Sequence, residues 1–277
     1  MTQKIESSIL TNNYKELSIQ VSLNGLSFCI INSASSQIEL FKRVTFSQPT
    51  TPEKIQLKLD EAMVAEKIHE KGVKKVNILH KNELSTFVPK PLFTKNNLSD
   101  YLKFNVKILD NDFIAFDEVK NTDIINVYVP YANVNNYIFD HFGEFVYKHF
   151  SSVLIETLLN KSQKTDNAVM YVNVSEGYFE IVVIKNRQLL FYNTFHFSNK
   201  QDFIYYILFT VEQLELNPEV FTLYFLGEIN KEDEIYDIAY TYIRNVKFGN
   251  NFNVFETVDG VELPKEHQDL ILLNSFS

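Results

Sequence analysis

The stretch AVMYVNVSEGYFEIVVIKNRQLLFYNTFHF, residues 168–197, predicts three consecutive β-strands at 168–174, 178–184 and 188–197. The polar residues Ser175, Glu176 and Gly177 separate the first two apolar runs, a pattern that is typical of a β-hairpin. A helix at about 198–215 and an apolar strand at 220–227 follow. This part of the chain is therefore predicted to have the order β-β-β-α-β.

The N-terminal part of the chain predicts the same order. Its elements are strands at 17–23, 26–32 and 37–46, a helix that begins near Thr51 and ends near Gly72, and a strand at 75–80. The first hairpin is predicted to turn at Asn24-Gly25, because both residues tolerate positive φ. When the third strands are aligned, Phe46 falls on Phe197, 151 positions further on. A repeat this long predicts two duplicated halves, not a solenoid.

The segment between the halves predicts strands at 84–88, 113–117 and 124–129, a short helix from Asn97, and helices at about 133–142 and 151–161. The polar run 160–167 is the best candidate for a domain boundary. We therefore predict a first domain at 1–160, with an inserted segment at about 84–130, and a second domain at 161–277. The apolar tail at 263–276 is expected to be docked on the protein.

Composition restricts the classes of function. With 35 acidic against 26 basic side chains the net charge is −9, which makes nucleic acid an unfavourable partner. The single cysteine, Cys29, excludes a disulfide framework and indicates a reducing compartment. The sequence has no signal-peptide pattern and no apolar run of the ~20 residues that a membrane span needs. We expect a cytoplasmic protein without a membrane span.

Common catalytic and metal-binding motifs are missing from the sequence. None of the six histidines has an H-x-x-x-H spacing, and there is no G-x-S-x-G elbow, Walker loop or G-x-G-x-x-G motif. The acidic run Glu232-Asp233-Glu234 is interpreted as the solvated start of a helix and not as a metal site. Cys29 lies among apolar residues and is expected to be a hidden, unreactive thiol.

A β-β-β-α-β unit that is repeated about 150 residues apart resembles the actin-like ATPase superfamily, which has a ribonuclease-H-like duplicated fold. The resemblance implies an α/β protein with mixed sheets, in which two domains flank a nucleotide cleft. It also implies an Asp-x-Gly type turn on each first hairpin. Backbone N–H groups of these turns hold phosphates, and the carboxylates organise Mg²⁺ and the attacking water. More narrowly, the chain is similar to an uncharacterised Bacteroidetes family, a domain of unknown function with this fold.

The resemblance places the functional positions of the superfamily on particular residues of this chain. The Asp position of the first hairpin falls on Ser22, and its glycine position falls on Asn24 or Gly25. On the second hairpin the Asp position is Asn173, and the glycine positions are Ser175, Glu176 and Gly177. The glycine pair that contacts adenosine is reduced to Gly227 followed by Glu228.

Neutral Ser22 and Asn173 offer Mg²⁺ no charge and cannot activate a water, and Glu176 would repel a phosphate. We therefore predict a degenerate actin-like protein without a catalytic residue, a metal or a cofactor; ATP with Mg²⁺ is possible but not expected. Such a protein would act as a binding or scaffold protein through its interdomain cleft or its surface. It is expected to have a protein partner or to self-associate.

Two interpretations of acidic residues remain open. Glu180 either replaces the missing carboxylate or is a solvent-facing strand residue, and the second is the more common arrangement. The competing hypothesis for the whole protein is an atypical ATPase or kinase that recruits Glu180, Glu228 or another carboxylate to the cleft. The predicted helix at 203–211 is apolar almost all round, so we expect it to be buried on both sides, between the halves or in a subunit contact.

Overall fold

The computed structural model describes residues 14–104, 106–109, 111–250 and 255–276. The first half begins with β1 (Lys15–Ser22), β2 (Gly25–Asn32), β3 (Gln37–Thr45), α1 (Ile55–Ala65) and β4 (Val73–His80). An insertion follows, with β5 (Ser85–Pro89), α2 (Leu98–Leu102), β6 (Ala115–Glu118) and β7 (Ile124–Tyr128). The half is completed by α3 (Ala132–Phe142), β8 (Val146–His149) and α4 (Phe150–Lys161).

The second half repeats this pattern without the insertion. Its elements are β9 (Val169–Ser175), β10 (Tyr178–Lys185), β11 (Gln188–His196), α5 (Lys200–Gln213), β12 (Thr222–Gly227), α6 (Glu234–Tyr242) and β13 (Asn245–Phe248). The C-terminal segment contributes β14 (Glu256–Thr257) and α7 (Leu270–Leu273). Short 3₁₀ turns lie at Ile68–Glu70, Lys90–Leu92 and Lys95–Asn97.

The two main sheets have matching topology. The strand order is β14-β3-β2-β1-β4-β8 in the first sheet and β11-β10-β9-β12-β13 in the second. In each half the first three strands are antiparallel, and the fourth pairs parallel to the first. The predicted duplication of a β-β-β-α-β unit in a mixed α/β fold is confirmed. The insertion forms a separate antiparallel sheet of order β5-β7-β6.

The first hairpin turns one residue earlier than the sequence indicated. Ser22 pairs with Gly25, so that Leu23 and Asn24 form the loop, and neither has a positive φ. Gly25 is a strand residue, where a Cβ atom would lie 2.5 Å from the carbonyl oxygen of Val44. The prediction of an Asn24-Gly25 turn with positive φ was therefore wrong. Close strand packing, not turn geometry, requires this glycine.

The helix α1 presents the predicted face to the core, because Ile55, Leu59, Ala62 and Met63 are all buried. It ends at Ala65, earlier than the predicted end near Gly72, and Lys67 adopts a left-handed conformation with φ of 51°. A residue with positive φ cannot continue an α-helix, so the chain proceeds through a 3₁₀ turn instead.

The helix α5 begins at a side-chain cap, in which Asn199 Oδ1 accepts a hydrogen bond from the Asp202 amide. One face of α5 packs on the second sheet through Phe203, Ile207 and Val211. Tyr205 and Phe209 lie on the opposite face and are 59% and 44% exposed. The prediction that this helix is buried on both sides was therefore wrong, because the second sheet covers only one of its faces.

One apolar cluster joins the two halves. It combines first-sheet residues such as Cys29 and Ile31 with second-sheet residues such as Val182 and Ile184, and α4 and α7 pack between them. The residues of α7 are at most 3% exposed, which confirms that the apolar tail is docked. Because this cluster is a continuous core, burial of its apolar surface holds the two halves together.

A buried polar network attaches the insertion to α4. Asp117 accepts hydrogen bonds from the Ser152 and Tyr128 hydroxyls and from the His149 amide. Asn126 donates to the hydroxyls of Ser151 and Ser152, at 3.0 and 2.9 Å. Burial raises the pKa of Asp117 to about 6 and lowers the pKa of His149 to about 3.

Within the described residues, every helix is too short or too polar to span a lipid bilayer.

Candidate functional site

A cavity of about 440 Å³ opens between the two halves, and we call it the cleft. Its walls come from the two hairpins, from β3, from the loop after β4, from the residue after β12 and from the C-terminal segment. The lining includes Ser22, Leu23, Asn24, Gly25, Leu26, Ser27, Arg43, Pro52, Lys81, Glu83, Leu84, Tyr131, Ser175, Glu176, Tyr178, Glu228 and Asp269. A smaller adjoining cavity of about 30 Å³ is lined by Asn173, Gly227, Glu228 and others.

In the first-hairpin wall of the cleft, the Ser22 side chain makes its hydrogen bonds within its own turn. The Ser22 hydroxyl donates to the Gly25 carbonyl oxygen at 3.0 Å, and the Gly25 amide lies 3.2 Å from the same hydroxyl oxygen. Ser22, Asn24 and Gly25 all line the cleft. The position that the resemblance assigns to a carboxylate therefore holds a hydroxyl that is already engaged in its own turn.

The second-hairpin wall contains a buried amide and carboxyl pair. Asn173 Nδ2 donates to Glu180 Oε2 at 2.6 Å, and each residue is 4% exposed. Burial raises the pKa of Glu180, while the nearby charge of Lys81 and the Asn173 hydrogen bond act in the opposite direction. Glu180 is thus not a solvent-facing strand residue, and that interpretation was wrong. The strand β10 is covered on both faces, so alternation along it does not expose any side.

Lys81 crosses the cleft between the two halves. It follows β4 in the first half, and its Nζ donates to Ser175 Oγ of the second hairpin at 2.7 Å. The same ammonium lies 4.6 Å from the Phe150 ring centroid and 5.8 Å from that of Tyr178. The residue therefore places a fixed cation, held by a hydroxyl and two aromatic faces, between the two hairpins.

Gly227 has a structural reason to be glycine. Its φ is +78°, and a Cβ atom there would overlap the Val174 carbonyl oxygen and approach Asn173 Oδ1 to 2.9 Å. Its amide donates a hydrogen bond to the His267 carbonyl oxygen at 2.9 Å. Glu228, the next residue, reaches the cleft with a side chain that is 57% exposed. Gly177 lines neither cavity and occupies the hairpin turn with φ of +79°.

An ion pair that sequence reasoning missed lies at the base of the cleft. Arg43 of β3 binds Asp269 from the C-terminal segment, whose side chain is only 4% exposed. Asp269 also accepts a hydrogen bond from Ser27 at 3.3 Å. The two partners are 226 positions apart, and β14 brings the segment to the first half by pairing with β3. No local sequence signal points to such a contact.

The charge of the cleft is negative. Its two cations, Arg43 and Lys81, are both engaged, the first by Asp269 and the second by Ser175. The other carboxylates of the lining are Glu83, Glu176 and Glu228. Among the described residues, no group of three or more His, Cys, Asp or Glu side chains is arranged to hold a metal ion. The arrangement disfavours polyphosphate and favours cationic or neutral polar ligands.

Of the nine candidates named from sequence, six line the cleft: Ser22, Asn24, Gly25, Ser175, Glu176 and Glu228. Asn173 and Gly227 lie in the smaller cavity beside it, and Gly177 lies outside both. Lys81, Glu83, Arg43 and Asp269 were not among the candidates. The positions of Lys81 and Glu83 could have been found by noting that they follow a predicted buried strand that pairs with the first strand.

Comparison with known structures agrees with this architecture. A Bacteroides thetaiotaomicron protein with an actin-like ATPase fold and unknown function superposes with a TM-score of 0.73 and 21% identity, over 87% of this chain and 93% of that one. The PilM-PilN type IV pilus biogenesis complex gives a TM-score of 0.54 with 10% identity, over 95% of this chain and 98% of the other. No curated protein is significantly similar to the chain in sequence.

These similarities show that the protein has the actin-like ATPase fold, as the resemblance implied. A family model also matches residues 4–246, which is most of the chain. The chain belongs to the family described as a protein of unknown function, DUF3822.

Proposed function

We propose that this protein is a non-catalytic binding protein of the actin-like fold, whose cleft receives a segment of a partner protein instead of a hydrolysable nucleotide. The proposal rests on the hydrogen bonds of Ser22 and Asn173, the two hairpin residues at the positions where the superfamily has Asp. Ser22 is bonded within its own turn, and Asn173 is bonded to buried Glu180. Neither offers a carboxylate to Mg²⁺ or to an attacking water, which the nucleotide chemistry of this fold requires.

Lys81 supports the same proposal. An ammonium between the hairpins supplies, from the chain itself, positive charge at the place where a nucleotide site of this fold needs a metal ion. The halves are also joined by a shared apolar core below the cleft, so that no ligand is needed to hold them together. A cleft of about 440 Å³ nevertheless remains, which is within the usual range of ligand pockets.

The fold is compatible with partner binding, because a structural relative is described as a complex of two pilus-biogenesis proteins. The alternative is an atypical ATPase or kinase that uses a relocated carboxylate. The carboxylates that favour it are those that line the cleft, Glu83, Glu176, Glu228 and Asp269. Asp269 is already neutralised by Arg43, however, and burial keeps Glu180 away from solvent.

Thermal unfolding with and without Mg²⁺ and ATP separates the two functions. A ligand at 100 times its Kd stabilises the native state by about 2.7 kcal/mol, which raises the melting temperature by several degrees. We expect no shift with millimolar ATP and Mg²⁺. A Mg²⁺-dependent shift that disappears in Asn173→Ala or Glu180→Ala would refute the proposal.

Partner binding is tested by affinity purification from native lysate, followed by mass determination in solution. We expect a stoichiometric partner or a self-assembled species. A strictly monomeric protein that co-purifies with nothing would contradict a binding or scaffold role.

A further inference from the structure

We propose that the partner segment bound in the cleft is basic, and that it inserts an arginine side chain among Glu83, Glu176, Glu228 and Tyr178. This inference rests on the proposed binding function and specifies the chemistry of the partner. It concerns the part of the cleft that these four residues line.

The lining of the cleft carries more negative than positive charge. Arg43 is paired with Asp269, and the Lys81 ammonium donates to the Ser175 hydroxyl, which leaves its charge in place. The lining has two more carboxylates than cations, since Glu83, Glu176, Glu228 and Asp269 stand against Arg43 and Lys81. Glu228 lies 3.9 Å from Arg43, and Glu83 lies 3.0 Å from His196. In the described structure Glu176 has no ion-pair partner, and it is exposed at the hairpin tip. The unmatched charge of the cleft is therefore negative.

Two of these carboxylates, Glu83 and Glu228, line the same cavity as Tyr178 and act on its hydroxyl. Burial raises the pKa of the Tyr178 hydroxyl, and the charges of buried Glu180 and of the two cleft carboxylates raise it further, whereas a hydrogen bond with Ser175 acts in the opposite direction. The carboxylates come from different elements of the chain, so their convergence is a property of the folded cleft. The half-buried Tyr178 ring already lies 5.8 Å from the Lys81 ammonium, so an inserted guanidinium group would pair with the carboxylates and contact the exposed part of the ring.

Apolar side chains line the same cavity as the carboxylates. Leu23, Pro52, Leu84 and Tyr131 contribute this apolar surface. A peptide that alternates basic and apolar side chains presents both kinds of group to such a mixed lining, since successive side chains of an extended segment point to opposite sides. The net charge of −9 would also steer a basic segment toward the protein.

The proposal is tested by fluorescence anisotropy with three labelled peptides of equal length, in which leucine alternates with arginine, glutamine or glutamate. The protein variants are the triple substitution Glu83→Gln, Glu176→Gln and Glu228→Gln, and a control triple variant, Glu144→Gln, Glu212→Gln and Glu215→Gln, that removes the same number of charges. The three control residues are exposed and lie outside the cleft lining. Melting curves of each variant verify that it is folded.

We expect the arginine peptide to bind most tightly, the triple variant of the cleft to weaken this binding about tenfold, and the control triple variant to leave it unchanged. An equal loss of affinity in the control variant would show that the peptide is attracted by the overall charge of the protein, and would overturn the proposal. Competition by spermidine at matched charge, or binding of none of the peptides at millimolar concentration, would overturn it as well. Tighter binding of the glutamine peptide, unaffected by the triple variant, would refute the basic partner while leaving the proposed binding function intact.

Discussion

The ammonium of Lys81 lies 2.7 Å from the hydroxyl oxygen of Ser175, and this hydrogen bond joins the first half of the molecule to the hairpin of the second. Lys81 is anchored on its own side as well, because its amide donates to the Val21 carbonyl oxygen at 2.8 Å. The contact lies between the two hairpin turns at which this fold elsewhere positions phosphates. A cation supplied by the chain therefore occupies the centre of the cleft.

Replacing Lys81 with methionine should destabilise the protein by about 2 kcal/mol. The substitution keeps the unbranched apolar part of the side chain but removes the ammonium, with its charged hydrogen bond and cation–π contact. Urea unfolding measures the loss, with Lys247→Met as the control, since Lys247 is exposed on β13. If both variants lost the same small amount of stability, the Lys81 contact would have no structural importance.

Gly227→Ala should cost more stability than Gly177→Ala, although both glycines have a φ close to +80°. The positive φ alone costs an alanine about 1–2 kcal/mol. Only at Gly227 would the added methyl group also overlap a backbone carbonyl oxygen, because Gly177 has open space around it. We expect a further loss of at least about 1 kcal/mol at Gly227 in denaturant unfolding. Equal effects would show that the contact with Val174 relaxes without cost.

Glu180→Gln should stabilise the protein at alkaline pH relative to acidic pH. Burial raises the pKa of Glu180, so the native state holds its proton more strongly than the unfolded chain does. Stability is therefore lost as pH rises from the ordinary glutamate pKa through the raised one, and glutamine lacks this loss. Unfolding free energies of both proteins across this range provide the test. A variant whose relative stability decreased with rising pH would contradict the buried carboxyl described here.

Acidification below pH 6.5 should destabilise the protein through two buried histidines. Burial lowers the pKa of His80 to about 4 and that of His149 to about 3, from an ordinary value of 6.5. The native state binds fewer protons than the unfolded chain in this window, so stability is complete above pH 6.5 and is lost as pH falls toward the folded pKa values. Asp117, with a raised pKa of about 6, acts in the opposite direction between pH 6 and its ordinary 3.8.

The three groups together predict a net loss of about 2–3 kcal/mol between pH 6.5 and pH 5. Asp117→Asn removes the opposing contribution, so its stability should fall more steeply over the same interval. Chemical unfolding at a series of pH values measures both slopes. A stability that is flat across this interval would show that the histidines are protonated in the native state.

The order of helices and strands along both halves could be predicted from the sequence because each of these elements depends on local signals. The hairpin β9-β10 was predicted at 168–174 and 178–184 and is observed within one residue of those limits. The alternation of apolar and polar residues in strands, the turn residues and the apolar periodicity of α1 are all patterns that span only a few positions of the sequence. The misplacement of the first turn has a tertiary cause, since the strand position of Gly25 is determined by the neighbouring strand β3.

The contacts of the cleft could be predicted only in part, because they join distant parts of the chain. Lys81 meets Ser175 over 94 positions, and Arg43 meets Asp269 over 226. Residue identity alone does not show that these side chains will meet. Of the two interpretations of Glu180, the solvent-facing one is the more common because a charged strand residue usually faces water, whereas β10 is covered on both faces. Tyr205 of α5 shows the opposite case, an aromatic residue that was expected to be buried but is exposed. Among the described residues, no further layer covers that face of the helix.

Isothermal titration calorimetry with ATP and Mg²⁺, combined with an assay for phosphate release, tests most directly whether the cleft has lost nucleotide chemistry. We predict no saturable binding heat at millimolar ATP and no phosphate release above that of buffer. Saturable, Mg²⁺-dependent binding together with phosphate release that Glu228→Gln or Asp269→Asn abolishes would contradict this, and would identify the protein as an ATPase with a relocated carboxylate.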